Sequence, residues 1–151
     1  MKHDYRYDTT GLDHVMLVGL ELSEDEDGDP VVTIRNVNLL HRAIVHALAT
    51  KPCAMTGKEL RFARTELGLT QAGLSALIHV DIQKIGRWER GEYPLDTTAE
   101  IIIRVLMLQH VSDVETLPPI AVISGWVGTA DSGQVLHIDA SDPNHWRPIA
   151  A

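Results

Sequence analysis

The chain has 151 residues, of which 44% are hydrophobic and 23% charged. These values lie near the averages for globular proteins and argue against a wholly disordered or fibrous chain. Its single cysteine, Cys53, excludes an internal disulfide and a zinc knuckle of paired cysteines. There is no apolar run of about 18 residues and no apolar segment after Lys2, which predicts neither a membrane span nor a secretory signal. We therefore expect a cytoplasmic protein without a membrane partner.

The formal net charge of −8 is unevenly distributed along the chain. Residues 1–35 carry 3 basic and 9 acidic groups, and residues 92–151 carry 2 and 8, so each of these segments has a net charge of −6. Residues 36–55 carry 2 basic and no acidic groups, and residues 56–91 carry 6 and 4, which gives +2 for each. The middle of the chain can therefore face a phosphate backbone although the whole chain is acidic.

The N-terminal part of the sequence predicts a β-hairpin. Residues 14–21 and 31–35 are rich in β-branched and large apolar side chains, and a polar, turn-forming segment separates them. The loop at 24–29 contains five carboxylates in six residues. It lacks the ligand order of a calcium-binding EF-hand loop, so a solvated turn is the better interpretation.

Helical spacing then replaces the strand pattern. Apolar residues recur every three or four positions from Val37 to Leu48, and Pro52 should end that helix. Residues 56–91 hold three further helical patterns, and residues 97–108 hold a fourth that is strongly apolar. We predict a mainly α protein with a small β part, which divides into an N-terminal hairpin and helix at 1–54, a helical domain at 55–110, and a second hairpin or loosely packed tail at 111–151.

The three helices of residues 56–91 have clear start signals. Thr56 and Glu59 have the spacing of a capping box, and Thr70 and Asp81 each precede a helical pattern as N-cap residues. A tight turn around His79 should join the last two helices. Two short helices joined by such a turn are typical of a helix-turn-helix, whose second helix enters the DNA major groove.

The second helix of this pair has two predicted faces. The apolar residues expected to bury the pair are Leu69, Leu74, Leu77, Val80, Ile85 and Trp88, with Ala72 and Ile78 also facing inward. The residues expected on the outer surface are Ile82, Gln83, Lys84, Gly86 and Arg87. Gln83 and Arg87 lie one helical turn apart, and these residue types can form paired hydrogen bonds with adenine and guanine, respectively.

Residues 69–91 resemble the helix-turn-helix of the Cro/C1-type (XRE) repressors. The matching positions are Thr70, Gln71 and Ala72 at the opening, Leu77, Val80 and Ile85 in the interior, and Arg87, Trp88, Glu89 and Gly91 at the end. The longer frame of residues 55–108 is similar to the version found in MqsA-type antitoxins, although this chain lacks the paired cysteines of their zinc domain. The resemblance implies a five-helix DNA-binding domain.

The resemblance also implies a role for each residue of the predicted DNA-binding surface. Gln71 would bind a phosphate, Ile82, Gln83 and Arg87 would face bases, Lys84 would contact bases or phosphate, and Arg90 would also contact DNA. Four positions depart from the family pattern: His79 stands where glycine is usual, Gly73 where glutamate is usual, Ile82 where many relatives have a polar base reader, and Gly86 opens the middle of the recognition helix. We expect Gly86 to permit close approach of the backbone to DNA.

The function that follows is DNA-dependent transcriptional regulation. The sequence has no phosphate loop, G-x-S-x-G or H-E-x-x-H motif, so we expect no catalysis, cofactor or metal. We expect a repressor that binds an inverted repeat in double-stranded DNA as a homodimer. The alternative is an antitoxin that also binds a protein toxin, either through the N-terminal hairpin and helix or through the C-terminal tail with Trp126 and Trp146 as exposed aromatic residues.

Overall fold

The computed structural model describes residues 2–111 and 117–149, so residues 112–116 and 150–151 of the predicted C-terminal segment lie outside the described residues. The chain forms two compact units, the first from residues 1–44 and 134–151 and the second from residues 45–133. The predicted boundaries at 54 and 110 stay predictions about how function divides along the chain.

The described residues form six helices and six strands. In chain order they are β1 (Lys2–Arg6), β2 (Val15–Glu21), β3 (Ser23–Glu24), β4 (Pro30–Val31), α1 (Val37–Ala49), α2 (Gly57–Glu66), α3 (Gln71–Ile78), α4 (Ile82–Glu89), α5 (Thr97–Val111), α6 (Ile120–Val127), β5 (Leu136–Asp139) and β6 (Arg147–Pro148). The helix predicted at 37–48 is confirmed as α1, which ends before Pro52.

The first unit is built around a four-stranded sheet in the order β1-β2-β5-β6. Strand β2 pairs antiparallel with β1 and parallel with β5. Its side chains Val15, Leu17 and Leu20 are buried in the sheet core. Strand β5 thereby brings the C-terminal part of the chain into the same sheet as its N-terminal part.

The hairpin predicted between residues 14–21 and 31–35 is wrong. The strand directly after the acidic loop is β4, which has only two residues. It pairs with the two-residue strand β3 rather than with β2. Strand β2 instead uses partners that are distant along the chain, which local patterning could not identify. The solvated turn is confirmed: Asp25 accepts backbone hydrogen bonds from Asp27 and Asp29, and all six residues of 24–29 are exposed.

The second unit is helical. Residues 55–110 contain four helices, α2 to α5, rather than the five that the family resemblance implied. The C-terminal segment, expected to be a second hairpin or a loosely packed tail, contains a helix as well: its apolar run at residues 120–127 forms α6, which packs against α5 and buries Ile123 and Val127, and β5 beyond it pairs antiparallel with β6. The apolar excess of α5 is thus partly covered within the unit.

Two buried charged side chains of α5 hold the segment before α2. Arg104 on α5 pairs with Glu100 at 2.8 Å and also donates to the carbonyl groups of Lys51 and Cys53. Glu100 accepts a hydrogen bond from the Met55 amide, although burial raises the pKa of this carboxyl group. These contacts satisfy the buried charges and tie α5 to the chain that enters α2.

The Lys51 ammonium extends the same polar cluster. Burial alone would lower the pKa of Lys51, but the carboxylates of Glu59 and Asp131 together raise it. Its Nζ lies 2.7 Å from Glu59 and 2.8 Å from Asp131. Glu59 is also the last residue of the capping box, so the ion pair stabilises the start of α2.

No helix among the described residues is long and apolar enough to cross a bilayer.

A glycine brings α2 and α4 into close contact. A Cβ atom on Gly57 would lie 2.0 Å from the carbonyl oxygen of Trp88 and 3.0 Å from that of Glu89. These are backbone atoms, so a side chain at this position would force the helices apart. The first turn of α2 and the last turn of α4 can approach this closely only because residue 57 is glycine.

We predict that Gly57→Ala lowers the free energy of unfolding by about 1–3 kcal/mol, because the added methyl group overpacks the helix contact. Gly125 in α6 is the matched control, since a Cβ there would have no described atom within 4 Å. Gly125→Ala should raise stability by up to about 1 kcal/mol through helix propensity. Urea unfolding followed by circular dichroism measures both, and equal midpoints for the two variants would contradict the prediction.

Candidate nucleic-acid interface

The three predicted helix starts are confirmed. The Thr56 side chain accepts a hydrogen bond from the Glu59 amide, and the Glu59 side chain accepts one from the Thr56 amide. Thr70 caps α3 by accepting from the Gly73 amide, and Asp81 caps α4 by accepting from the Gln83 amide. Each cap satisfies an N–H group that the first helical turn leaves unpaired.

The turn between α3 and α4 is as tight as predicted. His79 adopts the left-handed conformation with φ of 57° and ψ of 43°, and its amide donates to the Ser75 carbonyl. The Ser75 hydroxyl donates to the Val80 carbonyl at 2.5 Å. The turn therefore has the geometry that favours glycine, although a histidine occupies it.

The packing of the helix pair corrects part of the predicted core. Leu74, Ile85 and Trp88 are buried as expected. Leu77 is 51% exposed and Ala72 is exposed, contrary to the prediction, because the buried face of α3 passes through Leu74 and Ile78. These two inward residues are one turn apart on this eight-residue helix.

An ion pair fixes the three helices α2, α3 and α4. Arg64 on α2 donates from Nε to Glu89 Oε2 at 2.7 Å and from Nη2 to Glu89 Oε1 at 3.0 Å. Its third nitrogen, Nη1, donates to the Leu69 carbonyl at 2.9 Å. Gln71 on α3 donates from Nε2 to Glu89 Oε1 at 3.2 Å. Glu89 at the end of α4 thus receives hydrogen bonds from both neighbouring helices.

The burial of this pair makes its geometry restrictive. The side chain of Arg64 is 13% exposed and that of Glu89 is 4% exposed. A bidentate guanidinium–carboxylate contact fixes orientation as well as distance. Arg64 had no predicted role and Glu89 only a place in a family motif, so this pair was not predicted. The available signal was a charged residue at a helix position facing the apolar side.

The predicted DNA-contacting residues cluster on one surface. Ile82, Gln83, Lys84, Arg87 and Arg90 are all exposed on or directly after α4, and Gln71 is half-buried at the start of α3. A shallow groove of about 280 Å³ joins most of them. Its lining residues are Gln71, Ile82, Gln83, Gly86, Arg87 and Arg90.

Lys84 lies on the other flank of α4. Its Nζ is 6.0 Å from the centre of the Trp88 ring, and it lines a second groove together with Arg87 and Tyr93. Helix α4 is therefore a ridge between two grooves, and Arg87 lines both of them. A ridge of this kind matches a helix that enters a groove of the duplex.

The position of Gly86 differs from the prediction. Gly86 is buried rather than outward-facing. A Cβ at this position would lie 3.1 Å from Arg90 Nη1 and 3.8 Å from Gln71 Oε1. Two side chains therefore cover the glycine, and the expected close approach of its backbone to DNA is wrong for the conformation seen here.

We predict that breaking the ion pair by Arg64→Met or Glu89→Gln lowers the free energy of unfolding by about 3–5 kcal/mol, because each change leaves a buried charge without its partner. The double variant Arg64→Met/Glu89→Gln should lose less than the sum of the single losses. Glu92→Gln, which removes one partner of an exposed pair, is the control and should cost less than about 1 kcal/mol. Additive losses in urea unfolding would contradict the proposed coupling.

Comparison with known proteins agrees with this geometry. Residues 60–107 match the family model described as helix-turn-helix. The match begins within α2, ends within α5, and includes the whole α3–turn–α4 pair. Comparison with curated proteins and with solved structures finds no match. The closer similarity to MqsA-type antitoxins stays a prediction. Through residues 60–107, the chain carries a helix-turn-helix domain of the Cro/C1 (XRE) type, a family of DNA-binding regulatory domains.

Proposed function

We propose that this protein is a sequence-specific transcriptional regulator that represses by occupying DNA. The observation that carries the proposal is the exposed surface of α4, where Gln83 and Arg87 stand one helical turn apart beside the start of α3. The buried Arg64–Glu89 pair supports it, because readout of base edges requires a recognition helix of fixed orientation.

Base recognition in this proposal follows from side-chain chemistry. Gln83 offers one donor and one acceptor, which match the major-groove edge of adenine. Arg87 offers parallel donors, which match O6 and N7 of guanine. Ile82 is 44% exposed and would contact a thymine methyl group. Lys84, beside the second groove, would contact a base edge or a phosphate on that flank.

Phosphate contacts would fix the register of the domain on DNA. Gln71 is the first residue of α3, where unpaired backbone N–H groups and the helix dipole favour an anion. The Gln71 side-chain amide has two N–H donors, and the bond to Glu89 uses one of them. The second can therefore meet a phosphate oxygen, with Arg90 supplying charge from the opposite wall of the groove.

Repression through an inverted repeat is the expected mode of action. Helix α4 has eight residues, so it is about 12 Å long and spans only a few base pairs. A useful operator therefore requires two copies of the domain, with half-site centres about 34 Å apart. We propose that a homodimer supplies them and that it blocks the promoter it covers.

A toxin partner is not part of this proposal. One of the two interfaces expected for the antitoxin alternative was the C-terminal tail, with Trp126 and Trp146 as exposed aromatic residues. Trp146 is only 7% exposed and Trp126 is half-buried, so the structure contradicts that premise.

We predict that Arg87→Ala weakens binding to the preferred duplex by about ten- to a hundredfold, since one bidentate base contact is worth about 1–3 kcal/mol. Binding to a scrambled duplex should fall far less. Arg61→Ala removes the same charge from an exposed position on α2 and is the matched control. Fluorescence anisotropy with a selected duplex and its scrambled counterpart measures both ratios.

The outcome depends on the ratio of the affinity for the selected duplex to the affinity for the scrambled duplex. If Arg87→Ala and Arg61→Ala reduce binding to both duplexes equally, Arg87 supplies charge only and α4 does not read sequence. If the unmodified protein binds both duplexes equally, the proposed function is wrong.

We predict that two chains bind each palindromic duplex and that moving the half-sites apart by five base pairs, about half a helical turn, abolishes joint binding. Sedimentation velocity with labelled duplex measures the stoichiometry. A single chain per palindrome, with no effect of half-site spacing, would contradict the homodimer.

A further inference from the structure

The groove beside α4 contains a positioned guanidinium group. Arg90 follows the last residue of α4, and its side chain folds back along the helix so that Nη1 covers Gly86. The distance of 3.1 Å from Nη1 to an imagined Cβ at position 86 is shorter than almost all real contacts of that kind. A side chain at residue 86 would push the guanidinium away from this place by a few tenths of an ångström.

A carboxylate holds the other end of the same group. Arg90 Nη2 donates to Glu92 Oε2 at 3.1 Å. The backbone of Glu92 is itself fixed, since its amide donates to the Arg87 carbonyl at 3.0 Å. Gly91 makes this possible by adopting φ of 75°, while its amide donates to the Trp88 carbonyl. These two bonds form a Schellman motif at the end of α4.

We infer that Glu92 determines the affinity of this protein for DNA by competing with a backbone phosphate for the Arg90 guanidinium, which Gly86 seats in the groove. The inference rests on the proposed function, because it assumes that this groove meets DNA. It assigns a role to a residue that neither the sequence motifs nor the family match singles out.

The competition follows from charge and exposure. Arg90 is 60% exposed and Glu92 is 50% exposed at the side chain, so the pair can open to solvent without disturbing the core. A phosphate oxygen accepts the same N–H groups as a carboxylate and brings more neighbouring negative charge. A phosphate that takes this Nη2 donor must replace the Glu92 contact, and DNA in the groove also comes near that carboxylate. Both effects weaken binding, and neither depends on base sequence.

The first experiment compares Glu92→Gln with the unmodified protein on a selected duplex and on its scrambled counterpart. We expect binding to both duplexes to strengthen by the same factor, about two- to fivefold at 50 mM salt. Glu24→Gln, an exposed residue of the first unit, controls for the loss of one negative charge. An equal gain in Glu24→Gln, or no gain in Glu92→Gln, would overturn the inference.

A double-mutant cycle tests whether Glu92 acts through Arg90. Arg90→Gln should weaken binding to both duplexes and reduce the slope of log K against log salt by about 0.9. In that background most of the gain from Glu92→Gln should disappear. If the full gain persists without Arg90, Glu92 acts only as a negative charge and the competition is ruled out.

Gly86→Ala tests whether the glycine allows the Arg90 guanidinium to lie in the groove. The change should weaken binding to both duplexes while helix stability stays equal or rises, because alanine is the better helix former. In the Arg90→Gln background, Gly86→Ala should have no further effect. A loss that persists there would mean that the methyl group obstructs DNA directly and would overturn the role assigned to Gly86.

These outcomes separate the inference from the proposed function. Equal binding of the unmodified protein to both duplexes contradicts sequence-specific regulation, whereas the Glu92 effect can still be measured on each of them. Conversely, clear discrimination between duplexes without coupling of Glu92 to Arg90 leaves the regulator intact and removes the inference.

Discussion

The hydrogen-bonded ion pair between Arg64 and Glu89 is the interaction on which the DNA-facing surface depends. Its two ends lie on α2 and α4, and Gln71 connects it to α3. Nearly complete burial makes the pair costly to break and leaves little room for a second arrangement. The contact at Gly57 supports the same geometry, because it brings the backbones of α2 and α4 together at the end near Glu89. The residues of α4 that we propose to read DNA therefore project from a rigid support.

Local signals in the sequence predicted much of the second unit, whereas long-range contacts in the first unit escaped prediction. Thr56, Thr70 and Asp81 cap their helices as expected, because capping depends on residues within one turn. The parallel pairing of β2 with β5 joins residues more than a hundred positions apart, and no periodicity encodes it. The apolar run that forms α6 is short enough to suit either a strand or a helix, so its packing against α5 decides.

The candidate site shows the same division between local and tertiary information. The exposure of Gln83, Lys84 and Arg87 followed from helical spacing on α4. The burial of Gly86 did not, because it results from an arginine side chain that folds back over the helix. A glycine that the sequence predicts on an exposed helix face can therefore make room for a neighbouring side chain rather than for a ligand. The acidic balance of the chain fits the proposed arrangement, since repulsion from the phosphate backbone lowers affinity for every sequence and leaves base contacts to determine where the protein would bind.

The most direct test of the account is to map the surface that DNA perturbs. Backbone amide resonances of the ¹⁵N-labelled protein should be followed during titration with a selected duplex and with its scrambled counterpart. We predict that the largest changes in amide chemical shift specific to the selected duplex fall on α4 around Gln83 and Arg87. The Gln71 amide resonance should shift in both titrations. Shifts confined to the first unit, or identical shifts on α4 with both duplexes, would contradict the claim that α4 reads sequence.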